Sequence, residues 1–221
     1  MRSVAVEVFA DFGGSDAFGC GCIRGLTPPA RRGGVVIIPQ CDRYWLLTWT
    51  TYGTWLPGDE RGFVSNVVDG DGPEVRHNTP GTPYDRDMPE LKQAARAKLV
   101  GEPIDLDRDR ASILVAQFQE TSSYRGWALL AAAVMRNHCH VFVGVPGDPE
   151  PDTLLRDFKS YGSRALNRRW PKPPSGTWWT EGGSKRKKAG ERNVVTTIHY
   201  VRDQSHSLAV WLASGLGERG A

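Results

Sequence analysis

Two apolar runs, residues 127–135 and 138–145, are separated only by Arg136-Asn137. That connection is short enough for a β-hairpin, and Asn tolerates the left-handed backbone such a turn uses. The centre of the chain is therefore expected to be two adjacent antiparallel strands. The second of them opens with His138-Cys139-His140. Side chains two apart on a strand share a face, so the imidazoles converge while Cys139 turns to the other side. Two converging imidazoles form a bidentate metal clamp.

The flanking sequence supplies the rest of a fold. Residues 44–51 alternate aromatic, aliphatic and hydroxyl side chains and read as a first core strand. Residues 54–86 are dense in Gly, Pro and Asp, as an irregular excursion would be, followed by a short helix from Pro89 that ends before Gly101. A helix over 107–124 carries Ile113, Leu114 and Phe118 on one side. A second, capped by Asp152 or Thr153, runs to about residue 170; residues 177–180 suit a fourth strand and 193–204 a last helix. Strand, helix, strand, strand, helix, strand is the ferredoxin-like order. The expected fold class is thus α+β: a single ferredoxin-like βαββαβ domain, its antiparallel sheet covered by helices on one face, with an irregular insertion after the first strand. Residues 1–42, with Gly13-Gly14, Pro28-Pro29 and Gly33-Gly34 and no sustained period, read as a poorly ordered extension. The domain is assigned to 43–206, its insertion to about 55–106, and 207–221 to a C-terminal tail.

A chain of 221 residues, 39% apolar and without internal repeats, suits one domain. Its longest apolar run, residues 127–135, is far short of the roughly 20 residues needed to cross a bilayer, so no membrane partner is expected. Four cysteines are few for this length and favour a reducing compartment. The expected location is cytoplasmic, nucleoid-associated when bound to DNA. Cys20-Gly21-Cys22 has the wrong spacing for a zinc knuckle. Net charge is only +3, yet residues 153–192 hold eleven Lys or Arg against three Asp or Glu, a local +8, whereas residues 55–110 hold eight against twelve, a local −4. The basic stretch runs through Arg164 and Arg168 to Lys185-Arg186-Lys187-Lys188, with Trp170, Trp178 and Trp179 interleaved. Cations that neutralise phosphates and rings on which bases stack suit single-stranded nucleic acid; a solvated charged loop with structural tryptophans is the plainer alternative.

A lone His-x-His is common in soluble proteins, and Tyr161 alone reads as a core aromatic beside Leu154, Phe158 and Ala165. Together they reach a family. Residues 135–143 (MRNHCHVFV) followed by 155–161 (LRDFKSY) resemble the HUH-type single-tyrosine transposases, above all the branch that includes the REP-associated tyrosine transposases. Residues 49–58 (WTTYGTWLPG), 178–180 (WWT) and 199–203 (HYVRD) extend the similarity from about residue 43 to 206. The resemblance implies the same fold and an activity: DNA transposition by cleavage and strand transfer of single-stranded DNA at hairpin-flanked sites, through a 5′-phosphotyrosine.

In that reading Tyr161 is the nucleophile, and His138 and His140 hold Mg²⁺ or Mn²⁺ against the phosphate. Arg164, Arg168, Trp178, Trp179, Lys185, Arg186, Lys187 and Lys188 contact DNA, and a homodimer is one assembly option. Insertion-sequence relatives place Gln or Glu one turn after the tyrosine as third ligand, but this chain has Ala165 there; Glu120, Asp157 or Asn137 are the alternative oxygen donors. Tyr200 is the competing nucleophile, although Val194, Ile198 and Val201 around it favour packing. His199 and His206 read as surface or capping residues, and His77 has no partner in sequence. Two other functions compete: a domesticated hairpin-binding protein with little turnover, and a metal phosphoesterase acting on a small substrate.

Overall fold

The computed structural model describes residues 3–7, 35–60, 66–68, 74–76 and 88–214. Along the chain these form β1 (Ser3–Glu7), β2 (Val35–Pro39), β3 (Arg43–Thr50), β4 (Asn66–Val68), β5 (Glu74–Arg76), α1 (Pro89–Ala97), α2 (Arg108–Arg125), β6 (Ala128–Val134), β7 (His138–Val145), α3 (Pro151–Asn167), β8 (Ser184–Lys188), α4 (Glu191–Arg202) and β9 (Ala209–Leu212). The expected hairpin is β6–β7, closed by Met135 N donating to His138 O at 2.9 Å. Asp107 caps α2 by accepting from Arg110 N at 2.8 Å, and Gly126 ends it at φ 68°, where a Cβ would be strained. Pro151 opens α3, where its missing N–H costs nothing.

One five-stranded sheet, ordered β8-β3-β7-β6-β9 with antiparallel neighbours, carries the molecule. Without β9 this is the ferredoxin-like order, with the strand of the histidines at its centre. The two crossover helices lie on one face, where Leu47, Trp49, Cys139, Val141 and Val143 pack against Leu114, Phe118, Leu154 and Phe158. Edge-to-face rings build this core: Trp49–Phe118 at 5.5 Å, Phe118–Phe158 at 5.7 Å and Trp49–Trp179 at 6.1 Å between centroids. The opposite face is not bare. There α4 lays Val194, Ile198 and Val201 against Leu46, Leu130, Ala131, Ala133 and Phe142. It packs chiefly on β6, β7 and β9. A bulge between Leu129 and Ala131 shifts the β6–β7 register, so the consecutive residues Leu130 and Ala131 both join the α4 side.

Several sequence expectations change. The fourth strand of the unit is β8, not residues 177–180, which contribute a single bridge, Thr51 to Trp179. Lys and Arg rank low in strand propensity, and only pairing with β3 makes this run a strand. Ala209–Leu212, read as tail, is the fifth strand, paired to β6. Within the N-terminal extension, β1 and β2 pair antiparallel, although that region shows no period in sequence. Cys20, Cys22 and His77 lie outside the described residues. No helix among the described residues is long and apolar enough to cross a membrane.

Candidate active site on the open sheet face

Strand alternation puts His138 and His140 on the α4 side of β7 and Cys139 in the opposite core. The two rings meet edge to face with centroids 5.0 Å apart. Each is oriented through Nδ1: His138 by the Asn137 side-chain oxygen at 2.7 Å, and His140 by Oγ1 of Thr48, its cross-strand neighbour, also at 2.7 Å. With Nδ1 carrying the proton, Nε2 holds the lone pair, as in histidines that ligate metals. His140 is 5% exposed, and burial, reinforced by the neighbouring His138, lowers its pKa to about 4. It is therefore neutral at physiological pH, the form a metal requires.

The residue that joins them is Tyr200. Its ring lies 5.3 Å from that of His140, while 49% of the residue stays exposed. Val194, Ile198 and Val201 anchor α4 to the sheet, and Tyr200 leaves the helix from the flank beyond Thr197. Its carbonyl oxygen accepts from Nε2 of Gln204, one turn on, at 2.9 Å, which leaves Oε1 as that amide's acceptor end. Neighbouring His199 has a lowered pKa from burial and from Arg202.

Tyr161 is elsewhere. It lies on α3, across the sheet from the histidines, tilted against Tyr124 of α2 at 6.3 Å and flanked by Arg164 at 5.0 Å and Arg125 at 6.0 Å. The oxygen donors expected to complete the clamp are on that far side too. Asp157 is buried and ion-paired to Arg125 at 2.8 Å, and Glu120 is exposed on α2. Among the described residues no third His, Cys, Asp or Glu joins the histidines in a metal-holding group. The donor set that fits a divalent cation here is two neutral imidazoles and the Gln204 amide oxygen, since Mg²⁺ and Mn²⁺ fill their remaining positions with water and phosphate oxygens.

Trp178 and Trp179 are core residues, 5% and 4% exposed. The indole of Trp178 donates to Asn167 Oδ1 at 2.8 Å, and that of Trp179 to Ser163 Oγ at 2.8 Å and Lys159 O at 2.9 Å. Neither ring offers a base a stacking face. Arg164 and Arg168 are exposed on α3, on the Tyr161 side of the sheet. The four cations of β8 divide by parity. Lys185 and Lys187, opposite Leu47 and Trp45, pair with Asp152 at 2.6 Å and Asp148 at 3.7 Å. Arg186 and Lys188, opposite Leu46 and Tyr44, share the histidine face and make no ion pair among the described residues.

Residues 105–204 match the family described as "Transposase IS200 like". Over that span the chain belongs to the IS200-like transposase family. The IS200-like span holds the histidine pair, Tyr161, Tyr200 and Gln204, so the match by itself does not choose between the tyrosines. Similar solved structures include a REP-associated tyrosine transposase bound to a REP hairpin, at 11% identity and TM-score 0.38, aligned over 73% of this chain and 66% of that one. This chain thus spans just under two thirds of that protein. A candidate transposase from Deinococcus radiodurans R1 aligns at 14% identity and TM-score 0.37, over 73% and 89%. No curated protein matches the chain.

Proposed function

We propose that this IS200-like transposase cuts and rejoins single-stranded DNA through Tyr200, with His138, His140 and Gln204 as the ligand set for Mg²⁺ or Mn²⁺. One observation carries the reading: Tyr200 stands beside His140 on the open side of the sheet, whereas Tyr161 is separated from both histidines by the sheet itself. Gln204 adds support, because it occupies the position one turn after the tyrosine that relatives give to their third ligand, and that position after Tyr161 is Ala165.

The phenolic oxygen of Tyr200 attacks the scissile phosphorus. A P–O bond forms to tyrosine, the P–O3′ bond breaks, the phenol's proton is released, and the departing 3′ oxygen takes up a proton as a hydroxyl. The product is a 5′-phosphotyrosine, and attack by a second 3′ hydroxyl reverses the step and joins strands without ATP. A bound divalent cation would polarise the phosphate oxygens. The exposure of Tyr200 lets a strand reach it, while buried His140, held by Thr48, gives the site a fixed wall. Arg186 and Lys188 offer phosphate contacts along the β3–β8 half of the same face, which α4 chiefly leaves to β6, β7 and β9.

The test is covalent capture of a labelled hairpin-bearing single strand, followed by mass spectrometry of the peptide adduct. Wild type and Tyr161→Phe are expected to form it, and Tyr200→Phe to bind without attachment. An adduct that survives in Tyr200→Phe and vanishes in Tyr161→Phe would restore the α3 tyrosine as nucleophile. Binding without any adduct in wild type would favour a domesticated hairpin-binding protein.

A further inference from the structure

At the end of the sheet, where β3 runs out and β7 begins, a cleft of about 320 Å³ opens between the sheet and α1. Asp59, Lys92, Arg96, Asp105 and Asn137 supply its polar lining and Leu56 part of its apolar wall. Asn137 belongs to both sites. Its side chain orients His138 at 2.7 Å, and its carbonyl oxygen accepts from Thr51 N at 2.9 Å, which ties the cleft rim to the end of β3. Asp59 is 4% exposed, with Lys92 Nζ at 3.3 Å, and Asp105 meets Arg136 at 2.5 Å. Arg96 is exposed on α1.

We infer that this cleft takes one unpaired nucleobase, guanine or cytosine, of the strand held at Tyr200. The inference rests on the DNA-cleaving reading of that site. Its volume is in the range that holds a small molecule. Two carboxylates beside two cations give no net attraction for a phosphate, so the occupant is the base and not the backbone. The pattern asks for one edge that both donates and accepts. Guanine presents N1–H and N2–H₂ to a carboxylate and O6 to a cation; cytosine presents N4–H₂ and, beside it, N3 and O2. Thymine flanks its one ring N–H with two carbonyl oxygens, which a carboxylate repels. Because Asn137 lines the cleft and orients His138, a seated base fixes which phosphate of the strand lies against the histidines, and the cleft is a specificity device for the cut.

The experiment measures fluorescence anisotropy of labelled dC10, d(TG)5 and dT10 with the full chain and excess chelator, so that no strand is cut. Wild type is expected to bind dC10 or d(TG)5 at least fivefold more tightly than dT10, and Asp59→Asn and Arg96→Gln to bring that ratio below two. Arg96 is a surface position on α1, so its variant carries the test if the Asp59 variant does not fold. No preference in wild type, or an undiminished ratio in both variants, overturns the inference. A missing adduct at Tyr200 would sink the nucleophile assignment and leave this ratio where it was, so the two failures are separable.

Discussion

The hydroxyl of Thr48 stands 2.7 Å from Nδ1 of His140, on a side chain with no other task visible at the site. Removing that oxygen without changing shape tests whether the hydrogen bond sets the imidazole. Thr48→Val is expected to reduce both adduct formation and Mn²⁺ affinity by about 10–100-fold, the usual cost of losing a partner behind a metal-binding histidine. Thr48→Ser should restore both, and the urea midpoint of Thr48→Val should stay near wild type. Rate assays and Mn²⁺ titration by electron paramagnetic resonance read the outcome. An equal loss in the Ser variant would mean that the methyl, and hence packing, is what matters. The same scale shows why Tyr200 is hard to find in sequence. Val194, Ile198 and Val201 mark its helix as a packing helix, which it is, and a residue at the flank of an apolar stripe carries no periodic signal. Gln204 is the legible clue, four residues on, and it follows the tyrosine that the sequence ranks second.

For elements, β8 gives the sharpest expectation. Replacing Arg186 and Lys188 with Gln should weaken binding of single strands and flatten the log–log salt slope by about 1.4, at roughly 0.7 for each phosphate no longer neutralised. The same change at Lys185 and Lys187 should barely move the slope, because their ammonium groups already answer Asp152 and Asp148. Anisotropy titrations over a salt series decide it; equal slopes in the two double variants would remove β8 from the DNA path. Strands and helices with a hydrophobic period are readable from the chain: β7 spans the residues expected of it, and β3, α2 and β6 differ by a residue at either end. Elements held by tertiary pairing are not. A run of Ser-Lys-Arg-Lys-Lys has no apolar face to betray a strand, and the four residues of β9 are too few to show a period. The face on which a helix lands is likewise a property of its connections. Sequence alone therefore sets Tyr161 beside the histidines, when α3 crosses on the other side.

In the whole molecule the sheet is a partition, with the aromatic core of α2 and α3 behind it and the candidate chemistry in front. Damage on one side should leave the other largely indifferent. Trp179→Ala, which empties a core indole and strands Ser163 Oγ and Lys159 O, is expected to cost about 3–5 kcal/mol of stability by urea unfolding. Below the transition, adduct formation per folded molecule should stay close to wild type. Combined with Thr48→Val, the stability changes should add to within about 0.5 kcal/mol, as for sites with no shared partner. A larger coupling would show that the two faces communicate. The bulge in β6 has a different consequence, for the kinds of change this chain can accept. Since Leu130 and Ala131 both turn toward α4, the strand counts out of step by one from that point. Deleting a single residue there would put Ala132 and Val134 on the wrong side of the sheet, whereas most one-for-one exchanges would not. Lineages and protein engineers can thus respell this strand freely in letters, but not in length.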